Sequence, residues 1–444
     1  MNHQLLIKNA RIVNERSITY ADVKIKNQRI DKIAPDISAQ PYQTVIDLDG
    51  DWLLPGMIDD QVHFREPGLT HKGSIFTESR AAAVGGITSF MEMPNVKPST
   101  TTIDALRAKH DIASRDAFGN YSFYLGATPD NIEEIKRVDP SWVCGVKVFM
   151  GASTGDLLVE HPEALERIFR DCPSLIVTHC ENGAVIAQNL EKLKQSRSSF
   201  NIHDHPIIRD HEACYASSSY AVDLAKRYNS QLHVLHLTTE KEMSLFEPGP
   251  VVGKSITAEA CVHHLWFSDE DYGSLGNLIK CNPAIKQATD REALFKALNE
   301  GRIDIIATDH APHTFEEKQA DFMQAPAGLP LVQDALLSVL EHTKIQRLSM
   351  LDVVEKVSHN PAIRYAIKDR GFVREGYYAD LVAVSDREQT TASDSQSRYK
   401  CGWTPFHGVT FSHKIKATIV NGHIVYDGFT LSSTSPSMAL EFNR

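Results

Sequence analysis

The sequence predicts an α/β fold: a (β/α)8 TIM barrel with a small β-sandwich domain built from both chain termini. Three observations carry this prediction. Eight short apolar runs recur through the middle of the chain, helix-like segments fall between several of them, and both chain ends show the period-two alternation of strands. The first end reads LLIKNARIV, DVKIKNQRIDKI and TVIDLDG, with turn residues between the runs; the last end repeats the style in YADLVAVS, KIKATIV and GHIVYDG. This divides the chain into 1–52 and 363–444, the two parts of the terminal domain, and 53–362, the barrel. The polar stretch DREQTTASDSQSRYK, between two late strands, is expected to be a surface loop.

The eight runs are GMIDDQVH, GITSFMEM, YSFYLGAT, GVKVFM, SLIVTH, QLHVLH, SITAEA and IDIIATD. ASSSYAVDLAKRY before the sixth and DREALFKALNEG before the eighth read as helices. In such a barrel the chemistry sits at the C-terminal ends of the strands. His63 ends the first run, Met93-Pro94-Asn95 the second, His179 the fifth, His236 the sixth and Asp309 the eighth, while Lys147 lies within the fourth.

A lone histidine after an apolar strand is usually structural. His63, His179, His236 and Asp309 together at one rim are what zinc or a similar divalent metal requires. Lys147 stands inside an apolar strand, where an ammonium is costly to bury. Either it snorkels or pairs with an acid, or burial lowers its pKa and leaves a reactive amine. Addition of carbon dioxide to that amine would give a carbamate able to bridge two metals. Asp309 can act both as ligand and as general base toward a metal-activated water. Arg65, two residues past His63, has a planar fork suited to a substrate carboxylate, with Asn95 and Asn282 as neutral donors beside it.

Composition narrows the function classes. With 46 basic and 57 acidic residues the net charge is 46 − 57 = −11, and no basic run interleaved with aromatics offsets it, so nucleic acid is set aside as a partner. No signal pattern or long apolar stretch points to a membrane. Seven cysteines without any Cys-x-x-Cys read as reduced thiols of a cytoplasmic protein. Cys180 and Cys261, beside candidate site residues, read as packing groups. His203, His205 and His211 in NIHDHPIIRDH read as a loop and helix cap, and His161, His342 and His423 have no partner pattern.

The ordered motifs PGMIDDQVHFREPG, AAAVGGITSFMEMPN, THCEN, HVLHLTT, TAEACVHHL, CNPAIK and ATDHAPHTFEEK resemble those of the amidohydrolase superfamily and, within it, the dihydroorotases. NPA, GYYADLVAV, CGWTPFHG and KIKATIVNGHIVYDG continue the likeness to the end of the chain. The resemblance implies a small-molecule substrate, dihydroorotate, opened reversibly to N-carbamoyl-L-aspartate in pyrimidine synthesis. It also implies one or two zinc ions, a carboxylated Lys147 and a homo-oligomer, a dimer. By the same likeness His313 joins Arg65, Asn95 and Asn282 around the substrate, and the backbone at Ala327 and Gly328 contacts the ring. GVKVFMGAS resembles the version of the family that bridges its metals through a lysine; Asp156 in STGD is a weaker candidate for that role.

One departure stands out. The family has His-x-His where this chain has Gln61-Val62-His63, so one metal position loses an imidazole and gains at best a neutral amide oxygen. Unequal occupancy of two positions is the expectation. Two rival readings stay open: an allantoinase or hydantoinase, against which Arg65 argues, and an inactive scaffold subunit, which only Gln61 supports.

Overall fold

The computed structural model describes residues 4–151 and 157–444. Among them, eight parallel strands follow one another in chain order: Met57–Val62, Ile87–Glu92, Asn120–Gly126, Gly145–Met150, Ile176–Cys180, Leu232–Val234, Ile256–Cys261 and Ile305–Ala307. Apart from Ile256, every residue in them is buried, as parallel strands covered on both faces must be. The ring closes between the last and first strands. Val62 bridges His310, the His63 N–H donates to the His310 carbonyl at 2.7 Å, and the Thr308 hydroxyl donates to Asp59 at 2.6 Å.

Helices return the chain between most strands. The two read from the sequence are present as His211–Tyr228 and Ala288–Glu300. The first begins on the Asp210 side chain, which accepts from the Ala213 N–H, and ends on Asn229 at φ 53°. The second ends on Gly301 at φ 69°, a left-handed cap that glycine adopts without strain. Between the sixth and seventh strands the eightfold pattern departs from expectation. That interval holds a 3-10 turn, Glu240–Leu245, because Pro248, Gly249, Pro250 and Gly253 follow at once and deny a longer helix its backbone.

Both termini build a second sheet. In space its strands run His423–Tyr426, Lys414–Val420, Leu381–Ser385, Trp52–Pro55, Gln4–Asn14, Ser17–Lys26 and Arg29–Ala34, with Thr44–Asp47 also paired to Gln4–Asn14. It has its own core of aliphatic residues, among them Ile7, Ile12, Val23, Ile25, Leu381 and Ile419. A buried polar knot ties this sheet to the barrel. Asp380 accepts from the Asn421 N–H at 2.8 Å and from the Asn120 side chain at 3.1 Å, and it pairs with Arg370. Asn421 in turn donates to Asn120 at 2.7 Å.

The polar stretch after Ser385 is more ordered than a surface loop. Thr390–Thr391 pairs with Thr410–Phe411, and Tyr399 is buried with its hydroxyl accepting from the Gln333 N–H at 2.8 Å. One tyrosine in fifteen polar residues was too little apolar signal to predict this. No helix among the described residues is long and apolar enough to cross a membrane.

Candidate active site

One cavity at the C-terminal ends of the barrel strands is lined by Gln61, His63, Arg65, Asn95, Lys147, His179, His236, Asn282, Asp309, Ala327 and Gly328, with Phe149 and Ala311. These residues come from six strand ends and two following loops, so only the closed barrel brings them together. His313 stands at its edge, with Nε2 3.1 Å from both Arg65 Nη2 and the Ala327 carbonyl. Asp156 lies outside the described residues.

Backbone strain is concentrated here. Arg65 (φ 72°), His236 (φ 38°) and Asp309 (φ 51°) all hold left-handed conformations that non-glycine residues seldom adopt. Each turns the chain sharply at a strand end and so aims its side chain inward.

The imidazoles form two pairs. His179 Nδ1 lies 2.9 Å from His236 Nε2, and His179 Nε2 lies 2.9 Å from Glu181. Burial alone would raise the Glu181 carboxyl, but Arg209 at 2.5 Å and His179 outweigh it and hold it at about 2. An ionised carboxylate only accepts, so His179 carries its proton on Nε2 and turns a lone pair on Nδ1 toward His236. His236 Nδ1 has no hydrogen-bond partner among the described residues. Either tautomer of His236 therefore leaves a buried nitrogen unserved.

His63 repeats the problem. Its Nδ1 lies 2.7 Å from Asn95 Oδ1, so that nitrogen donates, and a neutral ring then turns its Nε2 lone pair toward Asp309 Oδ1 at 3.1 Å. Burial lowers the pKa of His63, His179 and His236 alike, the last well below the ordinary value, so protons do not relieve these contacts near neutrality. Converging lone pairs of neutral imidazoles beside a carboxylate are the donor set a first-row divalent ion takes, and the carboxylate–histidine pairing through Glu181 is how such ligands are oriented. The residues present fit a metal.

Lys147 is 1% exposed, and burial lowers its amine to about 8. Gln61 turns its amide nitrogen to Asp309 Oδ1 at 3.0 Å, while its oxygen faces the Cys261 thiol at 3.7 Å. In this orientation it orders the carboxylate and offers no oxygen to a metal. The tightest groups of metal-type donors among the described residues lie elsewhere: Cys261 with His263 and His264, and Asp60 with His233 and Glu259. Burial pushes the Cys261 thiol well up, which suits packing better than nucleophilic attack.

The NIHDHPIIRDH histidines go separate ways. His205 contacts the Cys281 carbonyl at 2.8 Å, His211 pairs with Asp290 at 2.9 Å, and His203 stacks edge-on to Tyr272.

Three supporting residues had no sequence argument. Glu181 stands two places past His179 in THCEN, the spacing that returns a carboxylate to the same face of an extended segment. Lys72 donates to His313 Nδ1 at 3.0 Å, leaving Nε2–H for the Ala327 carbonyl, and burial, with the Arg65 and Lys72 charges beside it, keeps the ring neutral. Lys318, 1% exposed, donates to the carbonyls of Lys280, Pro326 and Gly328 at 2.9–3.0 Å. It thereby clasps the Asn282 loop to the Ala327–Gly328 loop across the cavity mouth.

Residues 52–425 match the amidohydrolase family, and the chain belongs to it. It is 33% identical over 420 residues to a dihydroorotase of Halobacterium salinarum, covering 93% of this chain and 94% of the relative. It is also 30% identical over 435 residues to an allantoinase of Streptomyces avermitilis, covering 96% of each. The solved L-hydantoinase (dihydropyrimidinase) of Arthrobacter aurescens superposes with a TM-score of 0.93 at 26% identity, covering 99% of this chain and 100% of that one.

The clasp carries a prediction. Burial lowers the Lys318 amine to about 7, so below that pH, where it is an ammonium, Lys318→Met keeps the bulk but removes three charge-assisted hydrogen bonds, each worth about 1.5–3 kcal/mol. Amide hydrogen exchange at Gly328, whose N–H donates to the Lys280 carbonyl at 2.9 Å, should accelerate roughly tenfold or more while the barrel strands stay protected. Unchanged exchange across 320–328 would show that the loops hold without the ammonium.

Proposed function

We propose that the chain is a zinc-dependent cyclic amide hydrolase, a dihydroorotase, which interconverts dihydroorotate and N-carbamoyl-L-aspartate in a cytoplasmic homodimer. The observation that carries the substrate is Arg65. Its guanidinium is 6% exposed at the cavity wall, donates Nε–H to the Pro312 carbonyl at 3.1 Å, and forms no ion pair among the described residues. Burial lowers it to about 10, still charged at neutrality. A buried cation with no carboxylate in direct contact, facing a cavity, calls for an anionic ligand. Dihydroorotate carries a ring carboxylate; the rings of hydantoin and allantoin carry none.

His63, His179, His236, Asp309 and a carboxylated Lys147 would hold the metal. When bound, such an ion lowers the pKa of water and polarises an amide carbonyl. Arg65 takes the substrate carboxylate, with Asn95 and Asn282 as neutral partners. The Asn282 Oδ1 atom is buried without a hydrogen-bond partner, so it is free to accept from a ring N–H. The Ala327–Gly328 backbone lies against the ring, and neutral His313 sets the edge of the site. Asp309, ordered by the Gln61 amide, accepts the proton of the attacking water and delivers it to the departing ring nitrogen. Gln61 is therefore a positioning residue in this reading and a weak ligand at most.

A substrate panel tests the assignment. Purified, metal-replete protein should hydrolyse dihydroorotate with a higher kcat/KM than allantoin, hydantoin or dihydrouracil. Arg65→Met should keep its metal and lose about 2–5 kcal/mol of transition-state binding, seen chiefly as a raised KM. Preference for an uncharged ring would replace the reading with one of the other cyclic amidohydrolases. No turnover of any ring would favour a scaffold.

Lys147 gives a pH test. A neutral amine adds carbon dioxide and an ammonium does not, so the reactive fraction grows as pH rises through about 8. In metal-free protein at fixed dissolved carbon dioxide, the carbon-13 carbamate signal should increase across that range and vanish in Lys147→Ala. A signal independent of pH, or one that survives the substitution, would remove Lys147 from the metal centre.

A further inference from the structure

Below the rim, Asp60, His233 and Glu259 meet inside the barrel. They come from the first, sixth and seventh barrel strands, and the first strand pairs with neither of the others, so their side chains meet across the interior. All three are fully buried, at 0% exposure. His233 Nδ1 lies 2.8 Å from the Thr257 hydroxyl, whose own proton points at the Leu232 carbonyl at 3.4 Å. Nδ1 therefore donates, and Nε2 faces inward toward the two carboxylates, which outweigh burial and raise the ring's pKa above its ordinary value. That nitrogen lies 3.3 Å from Asp60 Oδ2 and 3.7 Å from Glu259 Oε2, aligned as a hydrogen bond with neither.

The count of buried acceptors is what matters. Among the described residues, Asp60 Oδ1 and Oδ2, Glu259 Oε2 and His233 Nε2 all lack a hydrogen-bond partner. Glu259 Oε1 is engaged, accepting from the His236 N–H at 3.2 Å and the Cys261 thiol at 3.3 Å, so it is Oε2 that is left to face the cluster. A proton on His233 Nε2 would face both carboxylates at once and be in line with neither. Two carboxylates and an imidazole in a dry interior are expensive without compensating positive charge. One donor atom from each residue lies within 4.8 Å of the others, a span that a cation holding ligands at about 2.0–2.2 Å closes with small side-chain shifts.

We propose that Asp60, His233 and Glu259 form a buried divalent-cation site, separate from the rim ligands and structural in role, with a two-oxygen, one-nitrogen donor set suited to zinc or manganese. The ion neutralises the barrel interior and fixes Glu259. Through Glu259 Oε1 it braces the backbone of His236 in its left-handed conformation. Asp60 adjoins Gln61, so the strand that lacks an imidazole at the rim supplies a carboxylate one layer lower.

Crystals grown from protein produced in manganese-supplemented medium, with data collected above and below the manganese edge, test the site directly. An anomalous peak is expected within bonding distance of all three residues. Metal analysis of Asp60→Leu should show one ion per chain fewer than wild type, with any peak at His179 and His236 retained; His233→Gln serves if the leucine variant does not fold. The wild-type crystal decides the matter even if neither variant folds. Absence of a peak among the three side chains, with protons filling the cluster instead, would overturn the proposal, as would equal metal content in wild type and variants. Ions at the rim give their own peaks, so failure here leaves the hydrolase reading standing.

Discussion

Withdrawing four imidazoles and a lysine amine from water at one barrel rim costs free energy that the surrounding groups must offset. His63, His179, His236, His313 and Lys147 are each less than a tenth exposed, and burial drives each toward its neutral form. Neutrality makes them useful, since an imidazolium cannot bind metal and an ammonium cannot add carbon dioxide. The supporting layer is correspondingly polar. Glu181 with Arg209 sets one tautomer, Lys72 sets another, and Lys318 fixes two loops through three carbonyls.

Rigidity elsewhere serves the same end. Arg65 and Asp309 hold their strained conformations beside the seam that closes the barrel, with its Val62–His310 bridge and Thr308–Asp59 contact, and the His236 N–H is held by Glu259. The Asp380–Arg370–Asn421–Asn120 knot anchors the terminal sheet to a strand of that barrel, so both chain ends brace the fold.

Much of this was legible in the sequence because a parallel barrel writes its strands as apolar runs and places its polar residues where the runs stop. The cavity at the strand ends gathers His63, Asn95, Lys147, His179, His236 and Asp309 as that rule predicts. Tautomers and supporting partners were not legible. Glu181 and Lys318 look like ordinary surface charges until the chain folds back on them, and Tyr399 hides in a polar stretch. The direction of the Gln61 amide could not be read either, because it depends on which neighbour, Asp309 or Cys261, takes each end. Nor could the meeting of Asp60 with His233 and Glu259, because the first strand lies apart from the paired sixth and seventh in the sheet order and reaches them only across the barrel interior.

Gln61 makes the two positions of the proposed metal centre unequal. His179 and His236 keep a complete donor pair, whereas His63 has a neighbour whose amide turns its nitrogen toward Asp309. Zinc retained per chain after dialysis against a weak chelator, compared among wild type, His179→Ala and Gln61→His, measures this most directly. His179→Ala should lose one ion relative to wild type, and Gln61→His should retain one more. Equal zinc in His179→Ala and wild type would contradict it.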